Sequence, residues 1–184
     1  MKIRLSAPLQ NDSIVDGTGI RAVIWTQGCS HNCEGCHNPS THSFKDGFLK
    51  DIDELNKEID NLELIDGITL SGGDPFFQIK PSLQIAKHAQ EKGLNVWAYS
   101  GFTFEQLQDM SKKNKDLEEL LKNIDVLIDG KFELENKKLA LNFRGSTNQR
   151  IIDVKKSLKQ NKAIEIKKYD KTKIKRTRYN HLYI

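Results

Sequence analysis

The chain has 184 residues, 37% of them hydrophobic and 29% charged, with a net charge of +4. That length suits one domain around a single core, and that balance excludes a disordered or membrane-embedded class. No apolar run nears the roughly 20 residues of a membrane span, and residues 1–8 lack the apolar stretch of a secretory signal, so a cytoplasmic location is expected.

Along the chain, short apolar runs alternate with stretches of helical period. Ala22, Val23, Ile24, Trp25 and Thr26 form a continuous run that suits a strand covered on both faces. A cysteine-bearing loop follows. Beyond it Ile52, Leu55, Ile59 and Leu62 fall on one face of a helix. Residues 68–70 read as a second strand. The next helix starts near Lys80, tolerates Pro81 in its first turn and is ended by Gly93. Residues 94–100 read as a third strand. Thr103 and Gln106 make a capping box for a helix with Phe104, Leu107 and Met110 on its apolar face. Leu117, Leu120 and Leu121 add a short helical piece, and residues 126–128 form a fourth strand ended by Asp129 and Gly130.

Strands alternating with helices predict an α/β fold with a largely parallel sheet, either open or curled into a partial β/α barrel. The pattern weakens after Val154. One domain is therefore expected over residues 1–154, and a basic C-terminal tail over 155–184, with an edge strand at Ile164 and Ile166 and a frayed end. The tail holds eleven Lys and Arg against Glu165 and Asp170, a net +9, which leaves −5 on the rest. An acidic protein partner, nucleic acid or a plain solvated end would each account for it. No aromatic interleaving supports nucleic acid.

The three cysteines are Cys29, Cys33 and Cys36, all within eight residues. An odd number cannot pair fully as disulfides, so metal or redox chemistry is the first reading. The loop begins where the first strand ends, and α/β folds build their sites at the carboxyl ends of parallel strands. Three thiolates on one short loop can face one centre, and thiolates are the ordinary ligands of iron–sulfur clusters. A [4Fe–4S] cube held by three cysteines leaves one iron open to substrate. Structural zinc would need His31 or His37 as a fourth ligand and tends to use Cys-x2-Cys pairs; a disulfide plus one thiol is the other alternative. After the second strand come Ser71, Gly72, Gly73, Asp74 and Pro75. Alone this is a turn. Two glycines would also let the backbone approach a ligand closely, with carbonyls that accept from an ammonium.

The Cys-x3-Cys-x2-Cys triplet and the glycine motif together resemble the radical S-adenosylmethionine (SAM) superfamily. Residues 15–21, from Val15 to Arg21, resemble the entry segment of the glycyl-radical-enzyme activating proteins. Residues 99–102, 129–132 and 144–150 are similar to motifs of the branch that activates anaerobic ribonucleoside-triphosphate reductase, and the resemblance covers residues 10–155. It implies that Cys29, Cys33 and Cys36 hold a catalytic [4Fe–4S] cluster, and that Gly35, Cys36, His37, Gly72, Gly73 and Asp74 lie at the SAM site. It further implies a 5′-deoxyadenosyl radical that removes hydrogen from a glycine of the large subunit of the anaerobic reductase. A small electron-donor protein would be the second partner. Two alternatives stand beside it: an activase for a pyruvate formate-lyase type enzyme, and a non-catalytic metal-binding interaction module.

The superfamily often has an aromatic residue before the third cysteine, packed on adenine. Gly35 stands there, as is similar in this branch, which leaves His37 as either the adenine contact or a loop histidine. Arg144, Asn148, Gln149 and Arg150 read either as a loop closing the domain or as a grip on a partner's backbone or carboxylate. Trp25, Trp97 and Phe104 are expected in the core, and His42 and His88 on the surface or a helix.

Overall fold

The computed structural model describes residues 1–169; the frayed end expected beyond them lies outside the described residues. Its strands are β1 (Lys2–Leu5), β2 (Gln10–Ser13), β3 (Arg21–Thr26), β4 (Phe48–Asp51), β5 (Gly67–Gly72), β6 (Asn95–Tyr99), β7 (Val126–Asp129) and β8 (Arg150–Asp153). Its helices are α1 (Ile52–Asp60), α2 (Ile79–Glu91), α3 (Phe104–Ser111), α4 (Lys115–Lys122) and α5 (Val154–Gln160). The strands form one sheet in the order β4-β1-β3-β5-β6-β7-β8, with β2 also paired to β3. The central strands β3, β5, β6 and β7 pair in parallel, and antiparallel pairs flank them on both sides. The end strands β4 and β8 do not pair with each other, so the sheet stays open.

Each parallel strand is added on the same side of the one before it. The crossover helices therefore collect on one face, where Ala22, Ile24, Leu70, Val96 and Ala98 meet Leu55, Ile85, Leu107 and Leu120 in the main core. Successive strand residues point to opposite faces, so Trp97 and Tyr99 belong to a second cluster with Val126, Ile128 and Ile151. That second face is partly filled by Phe143 and Tyr169. Their rings lie 5.1 and 5.7 Å from Trp97 and 5.4 Å from each other. Below this plug sits Arg21, fully buried, its guanidinium 5.3 Å from the Trp97 ring centroid. It donates to Thr69 Oγ1 (2.6 Å), to the Asn95 carbonyl (2.9 Å) and to the Ile68 carbonyl, so its cation is met by neutral acceptors. Burial pulls its pKa down to about 10.

The capping box forms as read: Thr103 Oγ1 accepts from Gln106 N–H while Gln106 Oε1 accepts from Thr103 N–H. Phe104 and Leu107 are fully buried, whereas Met110, near the helix end, is 38% exposed. The division expected at residues 154/155 falls at the head of a packed helix. Val154 and Ser157 are buried in α5, and the chain beyond returns to β8 through an Ile152–Glu165 bridge and an Ile166 N–H to Ile151 carbonyl bond of 2.8 Å. At Ile164 and Ile166, where an edge strand was expected, the described chain makes this isolated bridge and no strand. Among the described residues no helix is long and apolar enough to cross a membrane.

Candidate active site

The four parallel strands end at Thr26, Gly72, Tyr99 and Asp129. The loops that leave these ends wall one cavity of about 240 Å³. The first loop contributes all three cysteines and His37, the second Ser71, Gly72 and Gly73, the third Ser100 and Gly101. Gly130 and Phe132 come from the fourth.

The cysteine loop is braced from both ends. Gly28 N–H donates to the Thr41 carbonyl (2.8 Å) and Cys29 N–H to the His42 carbonyl (3.1 Å). The buried Gln27 amide ties the returning chain by donating to the carbonyls of Ser40 (3.0 Å) and Ser43 (2.7 Å). Between these braces the loop coils tightly, with left-handed residues at Asn32 and Gly35. All three thiols are free and half-buried. Burial pushes Cys29 up to about 11 and raises Cys33 as well, against a pull from the Phe132 N–H. A metal centre's own positive charge reverses that order and makes each thiol a thiolate ligand.

Among the described residues no three His, Cys, Asp or Glu side chains gather closely enough to hold a single metal ion. Of the two histidines that could serve as a fourth ligand to zinc, His31 has Nε2 committed to Asp74 Oδ2 at 2.7 Å, and His37 faces the cavity. The three thiols line the same cavity and are the donor type that would hold an iron–sulfur cluster there.

The sequence-derived site residues fall into two groups. Cys29, Cys33, Cys36, His37, Gly72 and Gly73 face the cavity. Gly35 packs instead against the Leu134 side chain. Asp74 turns inward: Oδ1 accepts from Phe76 N–H (2.9 Å), and Oδ2 from Ser100 Oγ (2.9 Å) and Gly101 N–H (2.9 Å) as well as from His31. Gly73 is tight for a reason the sequence does not reveal. A Cβ there would lie 2.5 Å from the Gly28 carbonyl oxygen, so the missing side chain makes room for the cysteine loop itself.

Residues 144–150 close the domain. Asn148 Nδ2 donates to the Lys131 carbonyl (2.8 Å) and Gln149 Nε2 to the Gly130 carbonyl (3.1 Å). Arg144 Nη1 donates to the Gln149 carbonyl (2.9 Å). Arg150 forks between the buried Asp129 (Nε to Oδ1, 3.0 Å) and Glu105 on α3 (Nη2 to Oε2, 2.7 Å).

Several wall residues escape a reading by residue type. Trp25 alternates onto the second sheet face and lines the cavity rather than the core, its indole N–H bonded to Gln10 Oε1 at 3.2 Å. Asp16, Tyr99 and His42 line it too. The usable signal is position, since Trp25 and Tyr99 lie within one residue of a parallel strand's carboxyl end. His88 does lie on a helix, within 2.8 Å of Asp60 Oδ1.

A family model described as a 4Fe-4S single cluster domain matches residues 15–152. The anaerobic ribonucleoside-triphosphate reductase-activating protein of Enterobacteria phage T4 is 36% identical over 146 residues, 74% of this chain and 86% of that one. The chain belongs to this family of activating proteins. Members from Salmonella typhimurium and Escherichia coli K12 are 35% and 34% identical over 144 residues, covering 74% of this chain and 90% of theirs. Among solved structures, QueE from Escherichia coli has a partial likeness, with a TM-score of 0.44 and 15% identity over 56% of this chain and 54% of that one. As a member of the activating-protein family the chain carries a single [4Fe–4S] cluster, and the three half-buried thiols are donors of the right number and kind for one with an open iron.

Proposed function

We propose that the chain is a radical SAM activase that installs a glycyl radical on the large subunit of an anaerobic ribonucleoside-triphosphate reductase. The observation that carries this reading is the meeting of Cys29, Cys33, Cys36 and the Ser71–Gly73 backbone on one cavity at the carboxyl ends of the parallel strands. When bound, the cluster supplies an open iron for SAM's amino and carboxylate groups and the electron that splits its sulfur–C5′ bond.

The chain's own residues bind and orient. The three thiolates hold the cluster. The backbone at residues 71–73 accepts from the methionyl ammonium. His37 and Phe132, with ring centroids 4.9 Å apart, offer an aromatic wall for the adenine in place of the residue absent at Gly35. Trp25 and Tyr99 wall the inner side and keep bulk water away from the reacting carbon. A glycine Cα suits the last step because it carries no side chain to block approach. The electron comes from a small electron-donor protein. A cytoplasmic setting suits this reaction, because three free thiols stay reduced there.

The direct test is anaerobic reconstitution followed by iron, sulfide and SAM-cleavage assays. The expected result is about four irons and four sulfides per chain, with methionine and 5′-deoxyadenosine formed on reduction. Cys33→Ala should lose both. Full iron content and normal cleavage in that variant would remove the cysteine assignment.

A further inference from the structure

One side chain of the cysteine loop that lines the cavity has no part in the proposed binding of cluster or SAM, yet it is closely packed. His31 lies between Cys29 and Cys33, and its side chain is only 7% exposed. Its ring enters a socket built by two other loops. Phe102 meets it edge-on at 4.5 Å between centroids, and Phe77 lies at 5.4 Å. At the back of the socket is Gly101, where a Cβ would come 2.6 Å from His31 Cγ. Gly101 is not left-handed in its backbone, so this glycine is demanded by the imidazole and not by φ.

The polar end of the ring is equally specified. Nε2 lies 2.7 Å from Asp74 Oδ2, in the glycine motif, and Asp74 is 1% exposed. With its hydrogen on Nε2, the ring donates to that carboxylate oxygen. The same oxygen takes Ser100 Oγ and Gly101 N–H, both at 2.9 Å. One carboxylate therefore joins three loops: the cysteine loop through His31, the 71–75 motif to which it belongs, and the 100–101 loop. Charge-assisted bonds in a buried setting fix geometry more strictly than exposed ones.

We propose that His31 is a positioning residue that seats the cysteine loop against the glycine motif, and so sets where the cluster stands relative to the cradle of residues 71–73. This rests on the activase reading above and deepens it. Cluster and SAM must meet at one iron, and their holders are separate loops whose relative placement needs a rigid tie. His31 is that tie, plugged into a socket whose far wall also faces the cavity.

The test is a double-mutant cycle on the full chain, anaerobically reconstituted: His31→Ala, Gly101→Ala and both together. SAM affinity is measured by equilibrium dialysis, iron loss to EDTA by absorbance, and the thermal midpoint alongside. Each single variant should take up a full cluster but bind SAM about tenfold more weakly, the scale of one lost charge-assisted hydrogen bond. Gly101→Ala acts by pressing on the imidazole, so adding it to His31→Ala should cost nothing further. Parental SAM affinity and iron retention in both single variants would overturn the proposal, as would losses that simply add in the double variant. A lowered thermal midpoint with unchanged SAM affinity would also overturn it, leaving His31 as a plain structural anchor. Should His31→Ala not fold, His31→Asn, which keeps a donor in the socket, is expected to restore SAM affinity towards the parental value; no recovery there would overturn the proposal. A parent that takes up no iron and binds no SAM would sink the activase reading and this proposal together, whereas failure of the variants alone leaves that reading intact.

Discussion

Gly73 has no room for a side chain, because the Gly28 carbonyl oxygen lies 2.5 Å from where its Cβ would stand. Its own N–H donates to the Thr26 carbonyl at 2.7 Å, and Asp74 N–H donates to the Gly28 carbonyl at 3.1 Å. The glycine motif and the start of the cysteine loop are thus in backbone contact. From the sequence, Gly73 is a residue that lets a ligand approach, and its replacement should then weaken SAM binding with the cluster untouched. The structure changes that expectation. Gly73→Val should displace the cysteine loop, destabilise the chain by about 1–3 kcal/mol as overpacking does, and lower iron retention along with SAM affinity. Iron analysis after reconstitution, beside a SAM-binding isotherm, separates the two. Unchanged iron with weakened SAM binding would restore the sequence-based reading.

At the scale of elements, the carboxyl end of β7, the amino end of β8 and the first turn of α3 are tied together by one arginine. Arg150 on β8 donates to Asp129, which ends β7, and to Glu105 in the first turn of α3. Asp129 Oδ2 also accepts from Phe104 N–H at 2.7 Å, so the carboxylate caps α3 as well. Arg150→Ala would leave Asp129 buried beside only neutral donors, at a cost of roughly 2–4 kcal/mol. A denaturant midpoint measures it. The hydrogen bond from Arg150 holds the Glu105 carboxyl below its usual range. The stability this brings is present above the ordinary carboxylate value and fades as pH falls through the lowered one. The gap between parent and Arg150→Ala should therefore hold from about pH 7 down to about pH 5 and narrow below about pH 4. A gap that stayed constant or widened on acidification would contradict the assignment.

Elements with a strong local pattern were legible: β3, β5, β6, β7, the capped α3 and the cysteine loop all stand where periodicity and turn chemistry put them. The strands β1, β2, β4 and β8 were not, and the reason is physical. β2 is Gln10, Asn11, Asp12 and Ser13, a polar stretch with one buried residue, held by backbone pairing to β3 and not by apolar alternation. β4 buries no residue fully, and only its register against β1 makes it a strand. Tertiary pairing decides such segments. At the site, the cysteine triplet was legible as a candidate ligand set because three thiols in eight residues have few other uses. The inward turn of Asp74 and the cavity-facing Trp25 were not, since both depend on which loops the fold brings together.

The whole molecule is an open α/β half-barrel whose concave face is plugged by Trp97, Phe143 and Tyr169 at one level and left as a cavity above. Tyr169 and Ile166 belong to that plug, which alters what removing the C-terminal end should do. Ending the chain at Gln160 removes Ile164, Ile166 and Tyr169 and should lower the thermal midpoint and SAM cleavage together. Ending it after Tyr169 keeps those contacts and removes five of the basic residues. That shorter cut should leave SAM cleavage unchanged and slow radical formation on an acidic partner at low salt. Steering of this kind is screened within about 8 Å at physiological ionic strength, so the difference should vanish as salt rises. Equal radical formation by both chains at every salt concentration would leave the basic end without a part in recognition.

The central claim is that this cavity makes a radical for another protein's glycine, and electron paramagnetic resonance reads that product directly. The reconstituted chain, reductant and SAM are mixed anaerobically with the large subunit of an anaerobic ribonucleoside-triphosphate reductase. The expected result is a glycyl-radical signal that requires SAM, disappears with Cys29→Ala, Cys33→Ala or Cys36→Ala, and is lost when the target glycine is replaced by alanine. SAM cleaved at the normal rate with no signal on the reductase, or a signal that persists without SAM, would contradict it.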